Sequence, residues 1–598
     1  MIYKKNIELL KTRGINLDNN KTDPTFIIEK SKSGDLTLKI DGLYIHSKHN
    51  PIREAEKIAK QQQKCDLIFI GGFGLGYVVE AINREFPDTK IIIYEPSVDF
   101  FNEALKQRDF SEIINSNNIE FLIGHLPESI KYFFQPQFIK TITYIPLLNR
   151  VKVDNALFTA VKNSIYLYLD RVEINKNTLR KFGSLWVKNQ CKNLPMMGYS
   201  NDISDIFGKF SDIPGIIVSA GPSMELIIPH LKRLKESFLI LAVDTAFKSL
   251  LESGIEPDFV MSIDSQYWNS RHLESVKCEK SILIADSSIQ PSAIRSFSNR
   301  VYFTKSSFPL GEYFEKERPP LPKIASGGSV STNIWDFAQK LGLSKIYFIG
   351  QDLGYPGGIT HYKESYFEKN MLTLSNRFHP LESHSFNYIY NGYPTYVESN
   401  SGNRIISDKR MTVYINWFKE RIKVLNINNC FNLSPHGCKI PGMDLIEINT
   451  ILNMPQKRES IENIISLLEN RDNNLYLPKM LNAAYNFRNN LNNITEISKK
   501  ALNLGTLIEN MHYKNMDTRQ DLIRLDNFDK KLILSNHSQT LSFIIEPFIQ
   551  QLTKLDNLTP LEALKASILL YEKLLSTGKL HLKYLNHSIS TIESINMM

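Results

Sequence analysis

Residues 238–266 read FLILAVDTAFKSLLESGIEPDFVMSIDSQ, and this stretch decides the fold. It contains two apolar runs, Phe238–Val243 and Phe259–Ile263. Each run ends in an aspartate followed by a hydroxyl residue, at Asp244-Thr245 and Asp264-Ser265. Short, continuous apolar runs of this kind are typical of strands that are buried on both faces of a parallel sheet.

The same alternation of strand and helix signals extends over residues 205–445. Further strands are predicted at Gly215–Ser219, Ser281–Ala285, Val301–Thr304 and Lys345–Ile349. We therefore predict an α/β fold in which a Rossmann-like central parallel sheet carries helices on both faces. Because ligands of open α/β sheets bind at the carboxyl ends of the strands, the polar residues found there are the candidate site residues.

Three domains are predicted along the chain, at residues 1–200, 201–450 and 451–598. The first begins with a hairpin, in which Asp41-Gly42 separates the alternating stretches Asp35–Ile40 and Leu43–His46. A degenerate Rossmann-like α/β region and linking helices follow. In the third domain, apolar residues recur at helical spacing, which predicts an all-helical domain; the first of them are Ile461, Ile464, Ile465 and Leu468.

The composition favours a globular cytoplasmic protein. The net charge of +8 arises from 71 basic and 63 acidic residues that are scattered along the chain. This balance favours anionic ligands over nucleic acid, which would require clustered basic residues. The five cysteines form no CxxC pair, which argues against a disulfide framework or a zinc site. A signal peptide is not expected, because the N-terminus lacks an apolar core of about 7–15 residues. A membrane span is not expected, because no uncharged apolar run reaches about 20 residues.

A glycine-rich loop follows the predicted strand Leu67–Ile70, with glycines at Gly72, Gly74 and Gly76. A second predicted strand, Ile91–Tyr94, ends in Glu95, where a carboxylate could hold a ribose. Together these features imitate the fingerprint of a dinucleotide-binding protein or a methyltransferase. The alternative interpretation is that the glycines serve only a tight turn.

The central region contains a second set of candidate residues. Ser223 follows Gly221-Pro222 and is a natural helix N-cap whose neighbouring N–H groups would favour a phosphate. A simple capped turn is the alternative. Asp244 and Asp264 are expected either to bond ligand hydroxyls and amides or to cap the helices that follow them.

Two further segments complete this set. Ser326, Gly327 and Gly328 precede a helix predicted at Ile334–Leu341, and small residues at a helix start form an anion cradle. After that helix, the strand Ile346–Ile349 leads to Asp352 and to a loop that carries polar and aromatic side chains. Those side chains are Tyr355, His361 and Tyr362.

Several of these segments together resemble the motility-associated (Maf) flagellin glycosyltransferase family. They are the GPSM turn at residues 221–224, the VDTA and SIDSQ strand ends, and SGGSVSTNIWDFAQKLGLSKIYFIGQDLGY at residues 326–355. YIHS at residues 44–47 with Pro51 and Glu54-Ala55, and NLSPHG at residues 432–437 with Ile440-Pro441-Gly442, fit the family too. The resemblance covers about residues 35–445.

The central segments are also similar, more distantly, to bacterial sialyltransferases that use CMP-sialic acid. This resemblance implies that the CMP moiety is bound by Gly221, Pro222, Ser223, Asp244, Asp264, Ser326, Gly327 and Gly328. It implies that Tyr355 or Tyr362 assists the leaving phosphate, close to Asp352 at its strand end. His361 is the first choice for the catalytic base, with Asp408 and His436 as alternatives.

The implied reaction transfers a nonulosonic acid, of pseudaminic or legionaminic type, from its CMP-activated form to Ser or Thr hydroxyls of flagellin. This modification would be needed for flagellum assembly and motility. The donor is a substrate, so no tightly bound cofactor is expected, and the predicted strand ends carry no DxD motif that would call for a metal.

Three other functions remain open at the level of the sequence. The central domain is shared with an archaeal pterin pyrophosphokinase, for which Asp244 and Asp264 would hold magnesium and ATP would be the substrate. A methyltransferase would instead use Gly72 and Glu95. A non-catalytic flagellin-binding protein would use the helical tail for docking. The exact sugar, the acceptor residues and the oligomeric state are also left open.

Overall fold

The structure is a computed structural model. It describes residues 2–15, 17, 26–125, 127, 130, 141–200, 202–297, 300–306, 308–468, 476–535 and 559–596. The chain divides into two compact units, which we call the N-terminal unit (residues 1–179) and the C-terminal unit (residues 180–598).

The N-terminal unit contains two sheets. Its strands are β1 Phe26–Lys30, β2 Leu36–Ile40, β3 Leu43–Tyr44, β4 Leu67–Gly71, β5 Lys90–Glu95, β6 Ile119–Ile123 and β7 Ile142–Pro146. The first three form an antiparallel sheet, and the other four form a parallel sheet of order β6-β5-β4-β7. Its helices are α1 Ile2–Thr12, α2 Pro51–Lys60, α3 Tyr77–Glu85, α4 Val98–Gln107, α5 Ser111–Asn115 and α6 Leu148–Val153, followed by α7 Asn155–Tyr199, which continues into the C-terminal unit.

The predicted hairpin is confirmed by the pairing of β2 with β3. Asp41 and Gly42 both have positive φ angles, of 45° and 82°, which match the right-handed twist of the flanking strands in a two-residue turn. β1, which pairs with the other edge of β2, was not predicted. Its sequence, FIIEK, lacks the apolar–polar alternation of β2, LTLKI, and all five of its residues are exposed or half-buried.

The C-terminal unit is built on an eight-stranded, entirely parallel sheet. Its order is β12-β11-β10-β9-β8-β13-β16-β17. The strands of the unit, including a separate antiparallel pair, are β8 Gly215–Val218, β9 Leu239–Val243, β10 Phe259–Ser262, β11 Ile282–Ala285, β12 Val301–Phe303, β13 Ile346–Ile349, β14 Pro394–Glu398, β15 Arg404–Asp408, β16 Cys430–Asn432 and β17 Asp444–Leu445. All six strands predicted for this sheet are present, and their residues are buried as expected for a sheet covered on both faces.

The helices of the C-terminal unit connect and cover these strands. They are α8 Ile228–Leu234, α9 Asp244–Glu252, α10 Tyr267–Ser270, α11 Pro291–Ile294, α12 Pro309–Glu315, α13 Val330–Leu341, α14 Tyr366–Leu374, α15 Leu381–Asn391, α16 Lys409–Val424, α17 Arg458–Ser466, α18 Leu477–Tyr513, α19 Arg519–Ser535 and α20 Pro560–Asn596. The helical character predicted after residue 455 is confirmed for the described residues, and α18 packs along α20. Among the helices of the described residues, none combines the length and the low charge content needed to cross a bilayer.

The strand order determines where a ligand can bind. β8 lies between β9, which follows it in the chain, and β13, which comes much later, so the connections leave β8 and β13 in opposite directions. A crevice opens at such a switch point, outside the carboxyl ends of the two strands. The turns after β8, β9, β10 and β13 therefore lie at one edge of the sheet, and they carry most of the predicted site residues.

Candidate functional site

The turn after β8 is held in place by hydrogen bonds to residues that are distant in the sequence. The backbone N–H of Ser223 donates to Asp352 Oδ2 at 2.9 Å, and the Ser223 hydroxyl donates to Ser434 Oγ at 2.7 Å. The same hydroxyl accepts the N–H of Gly350 at 3.2 Å. The prediction that Ser223 is an N-cap is wrong, because Gly221 caps a five-residue 3₁₀ helix, Pro222–Leu226, in which Ser223 lies. The anion that this turn binds in the structure is the carboxylate of Asp352.

Asp352 is almost completely buried, and burial raises the pKa of its carboxyl group. Among the described residues, no group donates a hydrogen bond to its Oδ1 atom. Two glycines make room for this carboxylate. A Cβ atom on Gly221 would lie 2.3 Å from Oδ2, and a Cβ atom on Gly437 would lie 2.8 Å from Oδ1. His436 is close enough to Asp352 for its charge to lower the pKa of the carboxyl group in part.

Gly221→Ala is expected to destabilise the C-terminal unit by about 1–3 kcal/mol, because the added methyl group overlaps the Asp352 carboxylate and the carbonyl oxygen of Gly350. Unfolding in urea, followed by the fluorescence of the tryptophans at positions 186, 268, 335 and 417, measures this change. An alanine variant as stable as the wild type would show that the turn is looser than its contacts indicate.

The carboxylate of Asp244, which follows β9, accepts hydrogen bonds from neighbouring groups of the protein. Its Oδ2 accepts Ser262 Oγ at 2.8 Å and Asn269 Nδ2 at 2.6 Å, and its Oδ1 accepts the N–H of Thr245 at 2.8 Å. Helix α9 begins at Asp244 itself, so this residue is not the N-cap that one alternative expected. Burial raises the pKa of its carboxyl group to about 6. Asp244 therefore acts as the anchor that holds Asn269 in place.

Asp264, two residues after β10, has a different environment. It is half-buried, and the only donors recorded for it within the described residues are the backbone and side-chain amides of Gln266. The neighbouring Ser265 is fixed from α7: Trp186 Nε1 donates to Ser265 Oγ at 2.8 Å, and Asn189 Nδ2 donates to Ser265 O at 2.9 Å. The loop that presents Asp264 is therefore rigidly held, while its carboxylate keeps oxygen lone pairs available.

Asp264 lines a cleft with a volume of about 290 Å³. This is close to the lower end, about 300 Å³, of the range that small-molecule sites occupy. The residues that line it come from the segment after β10 and from the start of α14, and they are Asp264, Gln266, Trp268, Asn269, His272, Tyr366, Phe367 and Asn370.

His272 is a cleft residue that the sequence reasoning missed. It is buried, and its Nδ1 atom has no hydrogen-bond partner among the described residues. Burial and, secondarily, the charge of Lys248 lower its pKa to about 4. Its imidazole is therefore neutral at pH 7 and able to accept a proton. The only sequence signal for it was its place eight residues after Asp264.

His361, the predicted base, lies next to this cleft. Its ring packs on Phe367 with the ring centroids 4.3 Å apart, and Phe367 is one of the cleft residues. Its Nδ1 is 3.2 Å from Thr360 Oγ1. Burial, His272 and Arg410 lower the pKa of His361 to about 4, in that order of importance. The structure thus brings two neutral histidines to the same side of the sheet edge.

Tyr355 and Asp408 form a separate network. The Tyr355 hydroxyl donates to Asp408 Oδ2 at 2.7 Å, and Arg410 approaches the same oxygen at 3.2 Å. Asp408 Oδ1 caps α16 by accepting the N–H of Met411 at 2.7 Å. Burial raises the pKa of Tyr355 above its ordinary value, and the bond to Asp408 raises it further. Asp408, an alternative base, is thus engaged by three donors.

Tyr355→Phe is expected to lower the free energy of unfolding of the C-terminal unit by about 1–3 kcal/mol, because a buried carboxylate loses one of its donors. Chemical denaturation of the two proteins measures the difference. Since Tyr355 is also a predicted catalytic residue, the denaturation curves separate a loss of folded protein from a loss of turnover. Identical curves would mean that the Tyr355–Asp408 bond contributes nothing to stability.

The loop before α13, which is the predicted anion cradle, uses the N–H groups of Gly327 and Gly328 in hydrogen bonds within the chain. Ser326 and Gly328 are exposed, and Ser329, the N-cap of α13, makes no capping bond with its side chain. The N–H of Gly327 donates to Thr332 Oγ1 at 2.8 Å. A Cβ atom on Gly327 would lie 2.6 Å from the Trp417 ring, which requires glycine there. Tyr362 fixes another part of this edge, because its backbone N–H donates to Ala220 O at 2.8 Å.

The glycine-rich loop of the N-terminal unit is filled by the unit's own side chains. His46 Nε2 accepts the N–H of Leu75 at 2.7 Å, and it would lie 2.4 Å from a Cβ atom on Gly74. Glu95 forms a buried ion pair with Arg150 at 2.5 Å and accepts the N–H of Phe73 at 3.1 Å. The carboxylate that a ribose would need and the donors that a phosphate would need are thus engaged internally, which favours the structural interpretation of this loop.

The described residues contain no group of three or more His, Cys, Asp and Glu side chains arranged to hold a metal ion.

The N-terminal region matches the family model described as the glycosyltransferase Maf N-terminal domain, over residues 15–138. The structure of the MAf glycosyltransferase from Magnetospirillum magneticum AMB-1 shares the fold, with a TM-score of 0.59 and 15% sequence identity. That similarity covers 99% of this chain and 94% of the Magnetospirillum chain. The N-terminal region is therefore similar to the Maf N-terminal domain, and the chain has the fold of the Magnetospirillum glycosyltransferase.

A second family model matches the middle of the chain. It is described as 6-hydroxymethylpterin diphosphokinase MptE-like and covers residues 188–358. The match therefore includes the Gly221–Ser223 turn, both aspartate strand ends and Asp352, and it ends just before His361. It overlaps the first part of the central domain, residues 201–450, for which the sequence predicted a resemblance to pterin pyrophosphokinases.

Proteins from Treponema pallidum (strain Nichols) are also similar to this chain. Two uncharacterized proteins are 24% identical over 218 residues and 26% identical over 252 residues. The aligned regions cover 36% and 37% of this chain, and 75% and 64% of the respective relatives. A third is 26% identical over 227 residues, which is 39% of its length.

Proposed function

We propose that this protein is a Maf-type enzyme that transfers a nonulosonic acid, of pseudaminic or legionaminic type, from its CMP-activated form to Ser or Thr hydroxyls of flagellin in the cytoplasm. The match of the N-terminal region to the glycosyltransferase Maf N-terminal domain supports the reaction class. The observation that carries the proposal is the cleft at the carboxyl end of β10, where Asp264 lies beside a neutral histidine. The resemblance to CMP-sialic acid enzymes supports the donor.

The proposed reaction forms one bond and breaks one. The acceptor oxygen bonds to the anomeric carbon of the sugar, while the bond from that carbon to the phosphate oxygen of CMP breaks. The phosphate leaves with the electron pair, and the acceptor hydroxyl loses its proton to a base. The enzyme must therefore stabilise the phosphate charge and accept a proton.

The phosphate is assigned to the start of α13 in this proposal. The positive end of the helix favours an anion there. A phosphate would have to compete with Thr332 Oγ1 and Ser326 Oγ for the N–H groups of Gly327 and Gly328. Tyr362 and Tyr355 lie in the loop after Asp352, and the resemblance assigns them to the leaving group. Gly221, Pro222 and Ser223 act mainly through Asp352, since their turn is already bonded to that carboxylate.

The proton acceptor is one of the two histidines near the cleft. His361 was predicted from the sequence, and His272 lines the cleft directly. The pKa of each is lowered to about 4, so that both are in the proton-accepting form at pH 7. His272 is the better placed of the two, because it shares the cleft with Asp264.

A comparison of nucleotide binding tests the donor class. CMP is expected to raise the melting temperature of the purified protein, whereas S-adenosylmethionine is expected to leave it unchanged. Stabilisation by S-adenosylmethionine alone would refute the proposal and restore a methyltransferase centred on Gly72 and Glu95.

The match to an MptE-like model supports a second candidate, an ATP-dependent pyrophosphokinase acting at the same sheet edge. In that case ATP with Mg²⁺, and not CMP, would stabilise the protein. Asp264 would be one magnesium ligand, while Asp244 would have to exchange Ser262 and Asn269 for the ion. A non-catalytic flagellin-binding protein would be stabilised by neither nucleotide and would still bind flagellin.

A further inference from the structure

An exposed tryptophan forms one wall of the cleft. Trp268 is 66% exposed, although large aromatic side chains are usually buried. Its ring meets the ring of Tyr267 edge to face at a centroid distance of 5.7 Å, which restricts its movement. Only Trp268 of these two lines the cleft. A fixed, solvent-facing indole beside a cavity offers a flat apolar platform for a ligand that has one apolar face.

The groups opposite this platform suit a ligand rich in hydroxyls. Asp264 supplies carboxylate oxygens, and Gln266 and Asn370 supply amides. Asn269 is held by its Nδ2 atom, which donates to the buried Asp244, so its Oδ1 atom remains an acceptor. A carboxylate accepts hydrogen bonds from the hydroxyls of a sugar, and an amide can both donate to them and accept from them, which a purely apolar pocket could not do.

A cation without a carboxylate partner lies next to the cleft. Lys248 Nζ is 5.8 Å from the centroid of the Tyr366 ring, and Tyr366 lines the cleft. Within the described part of the chain, no carboxylate is within ion-pair distance of this half-buried lysine. Arg271 lies on the same ring at 5.9 Å, but it is paired with Glu274. Lys248 also acts on the cleft electrostatically, since its charge helps to lower the pKa of His272.

We propose that this cleft binds the ring of an acidic sugar, with Trp268 as the stacking platform, Asp264 and Asn269 as partners of hydroxyl groups, and Lys248 as the counter-charge of the sugar carboxylate. The inference rests on the proposed function and deepens it, because it separates a sugar subsite at β10 and α14 from the phosphate subsite at α13. It also explains why a carboxylate and a lysine are kept at one cleft: the first binds hydroxyl hydrogens and the second binds an anion.

Binding of small probes to the full chain tests this assignment. The probes are N-acetylneuraminic acid, its uncharged methyl ester and CMP, each titrated calorimetrically. Trp268→Ala is expected to weaken binding of the acid by roughly tenfold or more and to leave CMP within about twofold. Phe378→Ala, which removes an exposed aromatic ring outside the cleft, is the matched control and should change neither.

The lysine is tested with the same probes. The wild type is expected to prefer the acid to its ester, and Lys248→Met should abolish this preference. Lys363→Met is the control, because Lys363 is 62% exposed and pairs with Glu225 away from the cleft. If Trp268→Ala weakened CMP as much as the acid, the platform would hold the base and the assignment would be overturned.

Two other results would also overturn the assignment: a wild type that does not bind the acid, and variants that bind it as the wild type does. These titrations contain no flagellin. A protein that binds the acid as expected but never modifies flagellin would therefore refute the proposed function and leave the sugar subsite standing.

Discussion

Arg150→Met is expected to destabilise the N-terminal unit by about 3–5 kcal/mol, the largest effect on stability that we predict. Arg150 and Glu95 are each only 1% exposed and form an ion pair at 2.5 Å. Burial disfavours the charged form of Arg150 and so lowers its pKa. The neighbouring carboxylates of Glu95 and Asp154 outweigh this effect, and the pKa of Arg150 is raised overall. Removal of the guanidinium leaves the Glu95 carboxyl group buried without its ionic partner, and among the described residues it then keeps the N–H groups of Phe73 and Ser97 as donors.

Hydrogen exchange of peptides from residues 67–150 measures this loss, because the tryptophans of the chain all lie in the C-terminal unit. Lys90→Met is the matched control: it breaks the ion pair with Glu120 at 2.8 Å, whose partners are both 35% exposed, and should cost no more than about 1 kcal/mol. Glu95→Gln combined with Arg150→Met should recover part of the loss. If Arg150→Met instead retained stability and gained nucleotide binding, the glycine-rich loop would be a cofactor site that Arg150 occupies, and not a turn with a purely structural role.

His272→Gln is expected to lower the rate of sugar transfer by about 10²- to 10⁴-fold, the range that a general base contributes. Glutamine fills a similar volume, and the Nδ1 atom of His272 already lacks a partner among the described residues, so the folded structure should be retained. The rate of CMP release in the presence of flagellin is the measurement. His379→Gln, at an exposed position outside the cleft, is the control.

The pH profile of the same assay supplies a second check. A histidine whose pKa is lowered to about 4 stays in its proton-accepting form at all higher pH values, so kcat/KM should not fall between pH 8 and pH 6 on its account. An acidic limb near the ordinary histidine pKa, about 6.5, would contradict the assignment. Full activity of His272→Gln together with inactivity of His361→Gln would transfer the role to His361.

The central sheet could be predicted because burial on both faces leaves a clear mark in the sequence. Runs such as Leu239–Val243 consist entirely of buried apolar residues, and no other element needs such a run. The antiparallel pair β14–β15 was missed for the opposite reason, since β14 is mostly exposed and its side chains are not selected for burial. β16 and β17 have only three and two residues, too few for a period to be visible.

The candidate site was predictable only in part, because partners that are distant in sequence decide what a side chain does. Ser223 has the local signature of an N-cap, but Asp352, 129 residues later, takes its N–H group. The glycines at 72–76 imitate a nucleotide loop, but His46 and Arg150 occupy it. His272 is unremarkable in the sequence and becomes a candidate only when the fold places it beside Asp264.

Intact-mass analysis of flagellin tests the central claim most directly. Flagellin is co-expressed with the full chain in a host that makes CMP-activated nonulosonic acids, with the wild type compared to Asp264→Ala. The account predicts that flagellin gains the mass of one sugar per modified site with the wild type, and gains none with Asp264→Ala although that protein is folded. Unmodified flagellin with the wild type and every such donor, or equal modification by Asp264→Ala, would contradict it.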